Sequence, residues 1–504
     1  MRRPMRLLCA GASVALILGL PTSASADPED HADSHGGFNH DGQPPESPPF
    51  VGPQSQGMPL VGNSDKDGTV NSDLAFWGNL VFAGNYDGFR ILDVSDPVNT
   101  VVLSDFICRG PQNDVSVIRA GSRLLLFQSI DSAQNKASCD GTAAGNSADN
   151  PVINGYRQFG FEGIRMFDVT DPRNPVFLAA MPTACGSHTH TLVPNPAQDM
   201  VHLYVSSYPL GSGRTDPSQV AAAGDLACVT PHKMISIVDV PLANPTGWSA
   251  RQKALSDDTA VAPGRGFQAC HDVQVFMPRK IAIGSCAGDA QIWDITDPAN
   301  PTMGNGEPHT HIYSPSATDQ FEFIHSGIVT WDGKYLAIMD ETGGGGSSEC
   351  DGPPEPEGES EHGFYYFYEM VEPGAAAPAL QSRFMIPRAQ GTEICVSHNA
   401  NVVPVNGRYL MSAAYYEGGN TIVDFTNVQA PKEIAYSDLV DTVGAADSWS
   451  SYWYNNRVYV NGGLNRRAET NRGVDIFNVV LDGRLKAKRF AYMNPQTQER
   501  FQQP

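Results

Sequence analysis

Five histidines in this chain stand at the openings of short apolar runs. They are His188 and His190 in "SHTHTLV", His271 in "CHDVQV", His325 in "IHSGIV" and His398 in "SHNANV". Residues two apart on a strand point the same way, so His188 and His190 could present paired imidazoles. Three or more imidazoles gathered in one place suit zinc, copper or iron, and added carboxylates favour iron or manganese. Asp272 directly follows His271, and Glu341 directly follows the run "YLAIMD". Both are candidate catalytic groups that could orient a ligand or move protons beside a metal. A single histidine at a strand start is most often only a satisfied polar group. The chemistry therefore depends on whether the fold brings all five together.

Internal repetition indicates which elements would do so. Residues 80–106, 161–182 and 288–304 each carry an apolar strand that ends in a polar turn spelled Asp-x-Ser/Thr-Asp-Pro. Weaker echoes fall at 232–248, 363–380, 420–439 and 473–490. Proline ends a ladder and Asp suits the turn that follows. Shorter strands precede most copies, as in "DLAFWG" and "NLVFAGN". No long helical periodicity competes. Four short strands per unit, repeated along the chain, predict an all-β fold: a seven-bladed β-propeller of four-stranded antiparallel blades.

The units "GFRILDVSDPVNTV", "GIRMFDVTDPRNPV" and "QIWDITDPANPT" resemble the LVIVD-repeat family of exported and cell-surface β-propellers. The resemblance spans roughly residues 57–485. It implies the fold and leaves the chemistry open, because propellers host unrelated functions.

In such a ring the first strand of each blade lines the central channel. Aligning those strand starts puts His271, His325 and His398 in one column, with His188 and His190 flanking it in the third unit. Five histidines then converge on the channel mouth, with Asp73, Asp114, Asp272, Asp340, Glu341 and Asp447 as acidic neighbours. Histidines without a cysteine ligand are compatible with copper in an exported enzyme. A calcium-loop reading of "NSDKDGTVNSD" (63–73) has acids at spacing two but lacks the terminal Glu of an EF-hand.

"MRRPMRLLCAGASVALILGLPTSASA" has the basic start, apolar middle and small-residue end of a secretory signal peptide cleaved after Ala26. Residues 27–56 read as a disordered His-, Pro- and Gly-rich tail, in which His31, His35 and His40 could scavenge metal. Residues 57–485 read as one propeller domain and 486–504 as a C-terminal tail. No later segment is apolar for the length of a membrane span. The mature chain is expected to be secreted and monomeric.

Of the chain's 33 basic residues, Arg2, Arg3 and Arg6 leave with the leader; its 55 acidic residues all remain. Phosphate would be repelled, so nucleic acid is excluded as a partner. A small molecule or a cell-surface ligand at the loop-rich face is expected instead.

Eight cysteines remain after Cys9 is removed, an even count that suits disulfides in an exported chain. Placed on the predicted blades, they fall on one face beside long loops at 131–160, 207–231 and 341–362. Sequential pairing then joins neighbours each time: 108–139, 185–228, 270–286 and 350–395. Strand closure of the ring has two candidates, "MPLVGNSD" (58–65) and "RLKAKRFAYMNP" (484–495). Two functional readings remain. One is a metal-dependent enzyme at the channel mouth. The other is a protein- or glycan-binding module whose histidines only line a wet pore.

Overall fold

The computed structural model describes residues 54–143, 152–153, 156–157, 161–209, 228–262, 266–315, 321–341, 363–388, 394–439, 446–463, 472–480 and 486–499. The Asp-Pro repeat has a local cause. In three copies a carboxylate accepts a backbone N–H two residues on: Val98 N to Asp96, Arg173 N to Asp171 and Ala299 N to Asp297. The same three carboxylates accept from Asn99, Asn174 and Asn300, each at 2.8 Å. An Asp-Pro-x-Asn turn thus closes on itself and releases the chain toward the next strand.

These turns join short strands into antiparallel sheets. One sheet runs Asn71–Trp77, Leu80–Asn85, Gly88–Asp93 and Val101–Ile107, in chain order from inside to outside. The same progression starts at Gln112–Ala120, Thr189–Asn195, Asp272–Phe276, Ile324–Val329 and Asn399–Val402. A further sheet starts at Ser448–Tyr454 and pairs in parallel with Asn399–Val402 through Asn399–Ser450 and Ala400–Ser451. Inner strands are mostly buried, whereas the outer strand Val101–Ile107 is largely exposed. Apolar side chains pack between the faces of neighbouring sheets. Leu125, Phe127, Ile164 and Met166 of one sheet meet Leu192, Val201, Leu203 and Val238 of the next. Such burial stabilises by about 25 cal/mol per Å² of apolar surface. Each first strand contacts the first strand of the following sheet, and Ser448–Tyr454 contacts Asn71–Trp77, so the inner strands close a ring.

Strand closure uses the early candidate. Leu60–Ser64 pairs antiparallel with Val474–Phe477 as the outer strand of the last sheet. A second early strand, Gln54–Gln56, falls in the stretch assigned to the tail and pairs with Lys432–Asp438. The late segment takes another place. Tyr492 and Met493 pair with Trp77 and Phe76, and Thr497–Gln498 runs parallel to the inner strand Asp272–Phe276. Its side chains bond four different inner strands: Asn494 to Val117, Gln496 to Asp73, Thr497 to Leu192 and Gln498 to Val329. Residues read from sequence as a tail therefore occupy the channel.

Disulfides join Cys108–Cys139, Cys185–Cys228 and Cys270–Cys286, as expected from the loop positions. Cys395 is also disulfide-bonded, and its expected partner Cys350 lies outside the described residues. The leader, most of the tail and much of the three long loops lie outside them too. Among the described residues no helix is long and apolar enough to cross a membrane.

Candidate functional site

The turn before "SHTH" sets the first imidazole. Cys185 and Gly186 both have positive φ, 58° and 75°. A Cβ on Gly186 would come within 2.7 Å of the Ile130 carbonyl oxygen and 2.9 Å of the Glu162 Cβ, so only glycine fits here. The chain then enters the inner strand with His188 facing the channel.

Four imidazoles form a row across four sheets. Ring centroids are 4.2 Å apart for His188–His271, 4.0 Å for His271–His325 and 4.2 Å for His325–His398. All four are almost wholly buried. His188 donates from Nδ1 to Asp131 Oδ2 at 2.9 Å, which turns Nε2 toward Gln112 Nε2, 3.0 Å away. His398 donates from Nδ1 to the Trp449 carbonyl, which directs Nε2 toward Glu341.

Glu341 is fully buried beside this row. Its Oε1 lies 3.4 Å from His398 Nε2, and its Oε2 lies 3.8 Å from His325 Nε2. The Tyr416 hydroxyl donates to Oε1. One ligand atom each from His271, His325 and Glu341 lies within 4.8 Å of the others, so these three could hold a metal ion. A nitrogen and oxygen donor set of this kind suits borderline transition metals. Because Nδ1 of His398 carries its proton to a carbonyl, a neutral ring turns a lone pair on Glu341. A cation or proton between them relieves that repulsion.

The other two sequence candidates sit further along the strand starts, His190 two residues after His188 and Asp272 one after His271. His190 receives hydrogen bonds or donates them at Ser116 Oγ (2.6 Å) and Ser129 Oγ (2.8 Å), and its backbone N–H donates to Asp114 Oδ2. Burial drives its pKa down to about 3. Asp272 accepts from Thr189 Oγ1 at 3.0 Å and from the Val273 N–H, and burial raises its pKa to about 7. Asp73 and Asp114 are buried neighbours, close enough for each to influence the other's ionisation. Burial raises both; Asp114 rises well above the ordinary range, with the Asp73 charge adding to the burial. Tyr452 Oη donates to Asp73 at 2.6 Å. The calcium-loop reading of 63–73 loses Asp73 to this channel group.

Irregular pairing marks four of the inner-strand starts, whereas Thr189–Asn195 and Asp272–Phe276 pair without a shift. Register shifts interrupt the strand starts at Asn71/Leu74, Gln112/Val115, Ile324/Ser326 and Ser448/Ser450. Bulges re-aim side chains, so consecutive residues can both reach the channel. Sequence reasoning did not single out Asp131 and Tyr416, which hold His188 and Glu341. Neither lies in a repeated column, and no sequence signal marks them.

No family model and no curated protein matches this chain. Solved structures with similar folds include Chaetomium thermophilum Raptor, at 10% identity and TM-score 0.42 over 86% of this chain. This chain spans 29% of the length of that one. The β-propeller domain of Myceliophteria thermophila Cps50 (Swd1) is similar at 10% identity and TM-score 0.42, covering 81% of this chain and 97% of that domain. A putative 6-phosphogluconolactonase from Bacteroides fragilis is similar at 10% identity and TM-score 0.43, with 83% and 97% covered. The ring of four-stranded antiparallel sheets, inner strands toward a common channel, is the architecture of a β-propeller.

Proposed function

We propose that this chain is a secreted, seven-bladed propeller of the LVIVD-repeat type whose channel mouth holds a transition metal and serves a metal-dependent reaction. One observation carries the reading: four buried imidazoles from four sheets stand about 4 Å apart in series, with buried Glu341 against the last two. Independent structural histidines would not need to align in this way. His271, His325 and Glu341 are the central ligands, and His398 and His188 extend the row on either side. A metal bound there would supply Lewis acidity and an activated water. Glu341, with the Tyr416 hydroxyl on Oε1, can hold or pass a proton beside it. Asp131 fixes the ring of His188, and the Trp449 carbonyl fixes that of His398. The disulfides support a rim around this mouth, because Cys185 lies three residues before His188 and Cys270 immediately before His271.

The test is metal analysis of protein purified without a histidine tag. A stoichiometric transition metal that falls away in the His271→Ala and His325→Ala variants supports the reading. A folded wild type that takes up no metal would leave a polar pore and favour the binding-module alternative.

A further inference from the structure

A second pair of histidines lies on the opposite side of the fold from the channel. His309 and His311 belong to the outer strand His309–Ile312, in "EPHTHIY". Residues two apart share a face, and both are only partly covered while Thr310 and Ile312 turn inward. Their Nε2 atoms lie 2.9 Å apart.

The Nδ1 atoms decide what that distance means. His311 Nδ1 meets Asp289 Oδ2 at 2.5 Å, and His309 Nδ1 meets the Glu307 carbonyl oxygen at 2.8 Å. An ionised carboxylate and a backbone carbonyl can only accept, so each Nδ1 carries the hydrogen. In the neutral rings both Nε2 atoms then bear bare lone pairs, aimed at each other at hydrogen-bond distance. Two lone pairs at that separation repel unless something positive sits between them. A carboxylate on one Nδ1 and a carbonyl on the other is also the arrangement that orients imidazoles for metal binding. Buried Asp289 is itself held, by Ala260 N–H at 3.1 Å, and Tyr313 stacks on the His311 ring at 5.2 Å. At zinc–nitrogen distances of roughly 2.0–2.1 Å, the observed separation corresponds to an N–Zn–N angle of about 90°. Opening by a few tenths of an ångström would make it tetrahedral.

We propose that His309 and His311 form a second, outward-facing site for a divalent transition metal such as zinc, oriented by Asp289 and completed by water. It is separate from the channel mouth and does not depend on the reading given for that site. On a rim open to solvent, such an ion has coordination positions left for a carboxylate or imidazole from another molecule.

The full chain carrying His271→Ala and His325→Ala, which removes the central mouth ligands, is titrated with Zn2+ by calorimetry. It is compared with the same chain carrying His309→Ala and His311→Ala in addition. The expected result is one fewer Zn2+ per chain in the second protein; ions taken by other histidines, such as His31, His35 and His40, cancel in the difference. Asp289→Asn, which can still accept from Ala260, should weaken that ion by roughly 10–100-fold. Both added histidine changes sit on a partly exposed edge, and thermal unfolding checks that the fold is kept. Equal stoichiometry and affinity in the two proteins would overturn the proposal and leave an imidazole–imidazolium pair sharing one proton. Loss of zinc only on mutating His271 and His325 would overturn it while leaving the mouth site standing.

Discussion

The mouth of the channel and the level just beyond it are built from the same strand starts, yet their chemistry is opposite. At the mouth, His188, His271, His325 and His398 turn imidazoles toward one another with Glu341 beside them. Further along the strand starts, buried Asp73 and Asp114 lie together near Asp272 and His190. The first level offers lone pairs to a cation. At the second level burial raises the pKa values of Asp73, Asp114 and Asp272 and lowers that of His190, which opposes charge there. A shift of one or two positions along a strand start thus exchanges an imidazole row for a buried acidic group. The sheets starting at Ile324–Val329 and Asn399–Val402 bring mouth histidines 325 and 398, those starting at Asn71–Trp77 and Gln112–Ala120 bring Asp73 and Asp114, and the sheet starts at Thr189 and Asp272 serve both levels.

The sharpest way to break this comparison is to remove ligands from each level. His271→Ala with His325→Ala should abolish bound metal at the mouth, while Asp114→Asn should leave it in place; elemental analysis of the two proteins decides. If Asp114→Asn strips the metal as completely, the two levels are one site.

Next in size is the rim that frames the mouth. Cys185→Ser with Cys228→Ser should cost roughly 2–4 kcal/mol of stability, read from denaturant unfolding. It should also lower metal occupancy, because the bridge anchors the turn into His188. Unchanged occupancy would show that the imidazole row is set by the strands alone.

The third test is the pH dependence of the lower level. The folded pKa of Asp114 is raised above its unfolded value, so the folded state holds a proton that the unfolded state gives up above about pH 4. Stability from this group is fully present below that pH and declines as pH rises toward the folded value. Asp114→Asn keeps a neutral donor toward Asp73 and should flatten the decline. Facing groups Asp73, Asp272, His190 and Tyr452 are unchanged in that variant. A wild-type profile as flat as that of the variant would refute the raised pKa of Asp114.

The smallest effect is expected at His202, a histidine outside both levels. Its Nδ1 bonds Asp239 at 2.6 Å, and its Nε2 meets Asn195 at 3.1 Å. His202→Gln should cost about 1 kcal/mol through these bonds and leave the metal untouched.

The repeat and its turns were legible because their cause is local. Asp-Pro-x-Asn spells a turn wherever it stands, and strands follow on either side of it. The three bridges were legible for a similar reason, since each joins a strand end to the loop or strand beside it. Which histidine stands at which level was not legible. His188 precedes the strand Thr189–Asn195 and joins the mouth, while His190 lies within it and joins the lower level; nothing in the residue types marks that division. The place of segment 492–498 was not legible either: its first residues belong to the late closure candidate 484–495, yet it lies against inner strands. It is polar, carries no alternation, and is held by amide and hydroxyl side chains bonding backbone groups of several sheets. The pair His309–His311 was hidden because the column that aligned the others runs through inner strands only.

The closing strand has a consequence in time. Asn63 bonds Asp475 across 412 positions of sequence. At a synthesis rate of roughly 5–20 residues per second, the early strand is made about 20–80 s before its partner exists. Until then the sheets stacked behind it have nothing to close against, and an open sheet edge invites pairing with another chain. A newly made molecule must therefore be shielded for most of its production, whatever the stability of the finished ring.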